Sequence, residues 1–119
     1  MCGSLVPPMK LPEGEFDGEV YGKLAFIGYV WTGKKFTGNK VKNKIFGRYM
    51  IEGEVSSPND HIVIIYYPQL NITDVLVNEG NDEWHGAMYR GKAYIHFGGK
   101  GVGFKGHALA EFILRRSNA

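Results

Sequence analysis

At 119 residues with a formal net charge of +2, the chain is one domain with a core of its own, and its charge is too weak to imply a nucleic acid or an acidic membrane surface by itself. Seven Phe, seven Tyr, two Trp and seventeen Gly suit strands and tight turns better than helices. The single cysteine, Cys2, excludes an internal disulfide and is compatible with a reducing compartment.

In chain order, residues 1–12 hold three prolines and read as an irregular arm, with the folded domain over 13–119. The arm has no cationic start followed by an apolar run, and no later stretch is long enough to span a bilayer, so a cytoplasmic, soluble protein without a membrane partner is expected. Phe16 to Tyr21 alternates as a half-buried strand. Leu24 to Trp31 is apolar on both faces; a strand is expected there, with a short helix across a barrel end as the alternative. Lys40–Phe46 and Arg48–Val55 read as neighbouring strands, and Ser56–Asp60 as a turn. His61–Tyr67 has the β-branched and aromatic content of a strand covered on both faces. Val75–Asn78, Trp84–Tyr89, Ala93–Phe97 and Leu109–Leu114 continue the series at intervals of roughly ten residues, the spacing of sandwiches and barrels. The fold expected is all-β: a single, largely antiparallel barrel of about eight to ten strands.

Two aromatic-glycine clusters, Gly14-x-Phe16-x-Gly18 and Trp31-x-Gly33-Lys34-Lys35-Phe36, make closure specific, because flanking glycines let a strand bend around an inward ring. The first resembles the Gly-x-Trp-x-Gly motif of the small GXWXG/DUF4334 proteins, with Phe16 in place of Trp, and the second resembles their Trp-Tyr-Gly-Lys-Arg-Phe segment. Tyr66 to Asp74 is similar to their Tyr-Asp-x-x-Pro-Ile-x-Asp stretch with the proline displaced, and Phe112 to Arg116 to their closing Phe-x-Leu-x-Arg. The resemblance spans nearly the whole chain, apart from a longer glycine-rich insert before the last strand, and brings no function with it. By analogy it implies a calycin, or lipocalin-like, barrel whose closed end stacks Phe16 against Arg115 or Arg116.

Sharper chemical motifs fail on context. Gly98 to Gly106 contains G-x-G-x-x-G, but too little chain follows for a βαβ unit, so a hairpin loop is the reading, with a phosphate nest around Lys100 and Lys105 as the lesser one. His61, His85, His96 and His107 lack metal spacing on any one element. No cofactor is expected; axial haem ligation by His96 is a minor alternative. Neither Cys2 nor any serine sits in a nucleophile motif, and the carboxylates Asp60, Asp74, Asp82, Glu83 and Glu111 fall mostly in expected turns. The basic stretch Lys34, Lys35, Lys40, Lys42, Lys44 and Arg48, with Phe36 and Phe46, reads first as a solvated strand edge and second as a nucleic-acid face.

The function expected is therefore binding of a small hydrophobic or amphipathic molecule, in preference to catalysis, in a cavity lined by Trp31, Phe36, Tyr49, Tyr66, Trp84 and Tyr94, with polar contacts from Lys34 and His96. A nucleic-acid-binding small barrel using residues 34–48, and a small isomerase or decarboxylase on a similar cavity, are the alternatives. A homodimer is compatible with everything above.

Overall fold

Inward apolar residues alternate with outward polar ones along Gly14–Tyr21 (β1), and the same period of two recurs down the chain, so each strand has one face to bury and the sheet closes on itself to bury them together. The computed structural model describes residues 11–59, 61–92, 94–95, 102–103 and 108–117. After β1 come a 3₁₀ helix, Gly22–Tyr29, and the strands Trp31–Thr37 (β2), Lys40–Ile45 (β3), Arg48–Asn59 (β4), Ile62–Tyr67 (β5), Ile72–Gly80 (β6) and Glu83–Arg90 (β7). Two short strands, Tyr94–Ile95 (β8) and Val102–Gly103 (β9), precede Ala110–Arg116 (β10). Eight strands form a closed barrel in the order β1-β10-β7-β6-β5-β4-β3-β2, every neighbouring pair antiparallel. Closure leaves none of these eight with a free edge.

The two aromatic-glycine clusters interlock. β1 pairs with β2 so that Phe16 lies beside Lys34 and Asp17 beside Gly33. A Cβ on Gly33 would run into the Phe16 carbonyl, and one on Gly18 into the Trp31 ring. Gly86 is under the same constraint from the Phe112 ring and lies 2.9 Å, measured from a Cβ built there, from Leu76 Cδ2. Gly86→Ala should therefore cost about 1–3 kcal/mol in chemical denaturation through overpacking, whereas Gly28→Ala, with open space around it, should not.

Four expected elements are corrected. Of the strand expected over 24–31 only Trp31 is one: Gly22, at φ +87, turns the chain out of β1, and the 3₁₀ helix crosses the barrel end with Phe26 and Tyr29 exposed before β2 starts at Trp31. A strand there would find no partner, since β1 already pairs β2 and β10. Ser56–Asp60 is not a turn as far as Asn59: β4 continues through a register shift between Ser56 and Asn59, and Pro58, which has no amide hydrogen to give, sits inside that irregularity. The strand expected from Val75 begins at Ile72. The Ala93–Phe97 strand is not part of the barrel; its described part pairs Tyr94 with Gly103 and Ile95 with Val102 in a separate two-stranded sheet. At the other terminus, Leu11 packs on the core and Pro12 is buried, so the described end of the expected arm is part of the body.

Candidate functional site

The inward positions divide along the barrel axis. Phe16, Phe36, Val41, Val55, Val63, Leu76, Trp84 and Leu114 belong to one buried cluster. These come from the strand ends opposite those that contribute Val20, Trp31, Lys34, Asn43, Ile51, Tyr67, Asp74, Met88 and Phe112 to a cavity of about 250 Å³. One end of the barrel is thus plugged by side chains, and the other is left hollow. Ile27 and Val30 from the helical crossover and Leu70 from the β5–β6 turn border the hollow end.

Nearly all of the lining is apolar, but four polar side chains meet at its base. Lys34 Nζ donates to Asn43 Oδ1 at 2.6 Å, to the Tyr67 hydroxyl oxygen at 2.6 Å and to Asp74 Oδ2 at 2.7 Å. Trp31 Nε1 donates to the same Asn43 oxygen at 2.9 Å, and Asn43 Nδ2 donates to the Ile51 carbonyl at 3.1 Å. Ile51, at φ +58, is the extra residue of a β-bulge where Asn43 faces Met50 while Lys42 faces Glu52. Lys34, Asn43, Tyr67 and Asp74 are each at most 6% exposed, and among the described residues no buried side-chain nitrogen or oxygen lacks a partner. The ammonium also lies 5.3, 5.0 and 5.4 Å from the ring centroids of Trp31, Tyr67 and Phe112.

Removing a Lys–Asp pair from water is costly, and good geometry with satisfied hydrogen bonds is what makes it tolerable. Burial pushes the Lys34 ammonium below the ordinary lysine value, against the opposing pull of the Asp74 charge and hydrogen bond. Burial also raises the Tyr67 hydroxyl well above its ordinary value, with the Asp74 charge adding to the effect. At neutral pH the phenol therefore stays protonated, and the formal charges of Lys34 and Asp74 offset each other. The site can hold an apolar body and offer an uncharged polar end to it.

Of the residues expected to line the cavity, Trp31 and Lys34 do so. Phe36 and Trp84 point inward but belong to the plug, where Phe36 meets Phe16 edge-on at 5.6 Å. Tyr49 is turned outward, because the bulge at Ile51 reverses the inward phase of β4; its hydroxyl donates to Glu15, and burial together with that carboxylate raises it to about 12. Tyr66 faces out, between the inward Ile65 and Tyr67, and its hydroxyl donates to Asn71. Tyr94 lies on the separate two-stranded sheet rather than in the barrel wall. His96, with the haem alternative, lies outside the described residues, as do Cys2, Lys100, Lys105 and His107. Among the described residues no three His, Cys, Asp or Glu side chains come together as a metal would need, and no helix is long and apolar enough to cross a membrane.

Asn43, Tyr67, Asp74 and Phe112 were missed. Asn43 did carry a signal, a polar residue in the inward phase between Val41 and Ile45. Asp74 carried one that a late strand start concealed, lying in phase with Ile72 and Leu76.

At the plugged end, β1 runs beside β10 with Phe16 opposite Arg116. The Arg116 guanidinium lies 4.7 Å from the Phe16 ring centroid, donates to the Glu13 carbonyl at 2.9 Å and pairs with Asp82 at 3.1 Å. Arg115 points away, to Glu83 and Glu19. On the outer wall the basic stretch is interleaved with acids: Lys35 lies beside Glu15, Lys42 beside Glu52, and Lys40 beside Glu54 with its nitrogen 4.0 Å from the carboxylate. No family model, curated protein or solved structure matches the chain.

Proposed function

We propose that this barrel binds one small, largely apolar molecule with an uncharged polar end. The observation that carries the reading is the apolar cavity of about 250 Å³ with a charge-neutral, fully hydrogen-bonded Lys34–Asp74 centre at its base. By comparison with an engineered cavity of about 150 Å³ that admits benzene, it suits a molecule of roughly ten non-hydrogen atoms. Asp74 disfavours an anionic head, since Lys34 is already paired and a second carboxylate would be buried against the first. The reading accords with the size of the barrel, since eight strands leave room for one small ligand.

The test is thermal and chemical unfolding with 1-nonanol, nonanoate and a single-stranded oligonucleotide. A ligand that binds only the folded state at a hundredfold excess over its Kd stabilises by about 2.7 kcal/mol. We expect 1-nonanol to stabilise with little dependence on salt, because burial drives the contact, and nonanoate to do so less. If only the oligonucleotide binds, with an affinity that falls steeply with salt and on replacing Lys40, Lys42 and Lys44, the outer wall is the site and the cavity reading is wrong.

A further inference from the structure

Resting on the cavity as a ligand site, the geometry points to a covalent step there: Lys34 Nζ condenses with the aldehyde of a small apolar molecule to form an imine, with Asp74 as proton acceptor and counter-ion.

Three observations carry it. Among the described residues Lys34 is the only buried lysine, and it lines the cavity; Lys35, next to it in β2, faces solvent. A carboxylate oxygen stands 2.7 Å from the nitrogen, placed to take the proton that blocks an ammonium from acting as a nucleophile. The Tyr67 hydroxyl oxygen accepts from the same nitrogen at 2.6 Å, and its own proton goes to Asn43 Oδ1 only at 3.5 Å, a long bond that an oxygen bound beside Lys34 would replace. Burial works in the same direction, since it disfavours the ammonium.

The steps balance. Asp74 takes one proton from Lys34, and the freed amine lone pair forms the C–N bond as the carbonyl π pair moves onto oxygen, with Tyr67 donating a hydrogen bond to it. A second nitrogen proton passes to that oxygen, giving a neutral carbinolamine. Asp74 returns its proton to the hydroxyl, the C–O bond breaks, and water leaves through the mouth. Lysine ammonium plus aldehyde has become a protonated imine plus water, with one positive charge before and after. Asp74 is again the carboxylate that balances it, and the rings of Trp31, Tyr67 and Phe112 face the same cation.

The full chain is incubated with stoichiometric nonanal and sodium cyanoborohydride, which reduces the imine to a secondary amine, and then analysed by intact mass and peptide mapping. We expect one adduct, of one aldehyde less one oxygen atom, on Lys34. It should exceed any other lysine adduct by at least about tenfold, because the bound aldehyde is held against this amine. Excess 1-nonanol should suppress it, Lys35→Arg should leave it unchanged, and Lys34→Met should abolish it. The 1-nonanol competition is made on the unaltered protein, so the result stands even if Lys34→Met fails to fold. If 1-nonanol stabilises the protein but Lys34 stays unmodified, or is labelled no more than surface lysines, Lys34–Asp74 is a structural ion pair only, and the covalent step is refuted while the binding reading stands. If neither compound binds, both fall.

Discussion

Asp74→Ala should destabilise the protein by about 3–5 kcal/mol, because it leaves the Lys34 ammonium buried with no counter-charge. Lys34→Met should cost about as much from the other side, leaving a carboxylate 3% exposed and facing apolar walls. The double variant Lys34→Met/Asp74→Leu should recover most of the loss, since it removes both desolvation costs and leaves Trp31 Nε1 on Asn43. Chemical denaturation of the four proteins measures this, and additive losses would mean that the two groups do not act as a pair.

The pH dependence has a definite sign. Burial already lowers Lys34, and Asp74 supplies the charge and hydrogen bond that resist this, so in Asp74→Ala the ammonium is lowered further. A lysine depressed in the folded state binds its proton more strongly when unfolded, so stability rises with pH between the folded value and the ordinary 10.5. The deficit of Asp74→Ala relative to the parent should accordingly narrow as pH climbs through that window. A deficit independent of pH would place the cost in packing rather than in charge.

Phe16→Ala should cost about 3–5 kcal/mol as the deletion of an aromatic that is 2% exposed and packs edge-on against Phe36. Arg116→Ala should cost less when Phe16 is already gone, by the roughly 0.5–1 kcal/mol of a partly exposed cation–π contact. Arg115→Ala should instead add to Phe16→Ala within about 0.5 kcal/mol, because its partners are Glu83 and Glu19 on the outer surface. Coupling through Arg115 and not Arg116 would contradict the stacked closure of the barrel end.

Glycine-bounded alternation with a period of two determined the all-β barrel, because local patterning alone says which face of a strand is buried. Lys34 shares the inward face of Phe36, two residues on, but on a strand that the alternation did not mark. The glycine-flanked Phe16 and Trp31 were legible, as only a residue without Cβ leaves room for a ring or a carbonyl so close. Tertiary structure decided what period two cannot carry. A single bulge at Ile51 turned Tyr49 outward, because one extra residue reverses the phase of everything beyond it. Position along the barrel axis separated Phe36 and Trp84, which plug one end, from Trp31 and Phe112, which line the other; inward direction was readable from the strand, but depth depends on the stagger between strands. The meeting of Lys34 on β2, Asn43 on β3, Tyr67 on β5 and Asp74 on β6 depends on that same stagger across a closed sheet. A buried charge pair forty positions apart in sequence exists only once closure has brought both ends into one buried space.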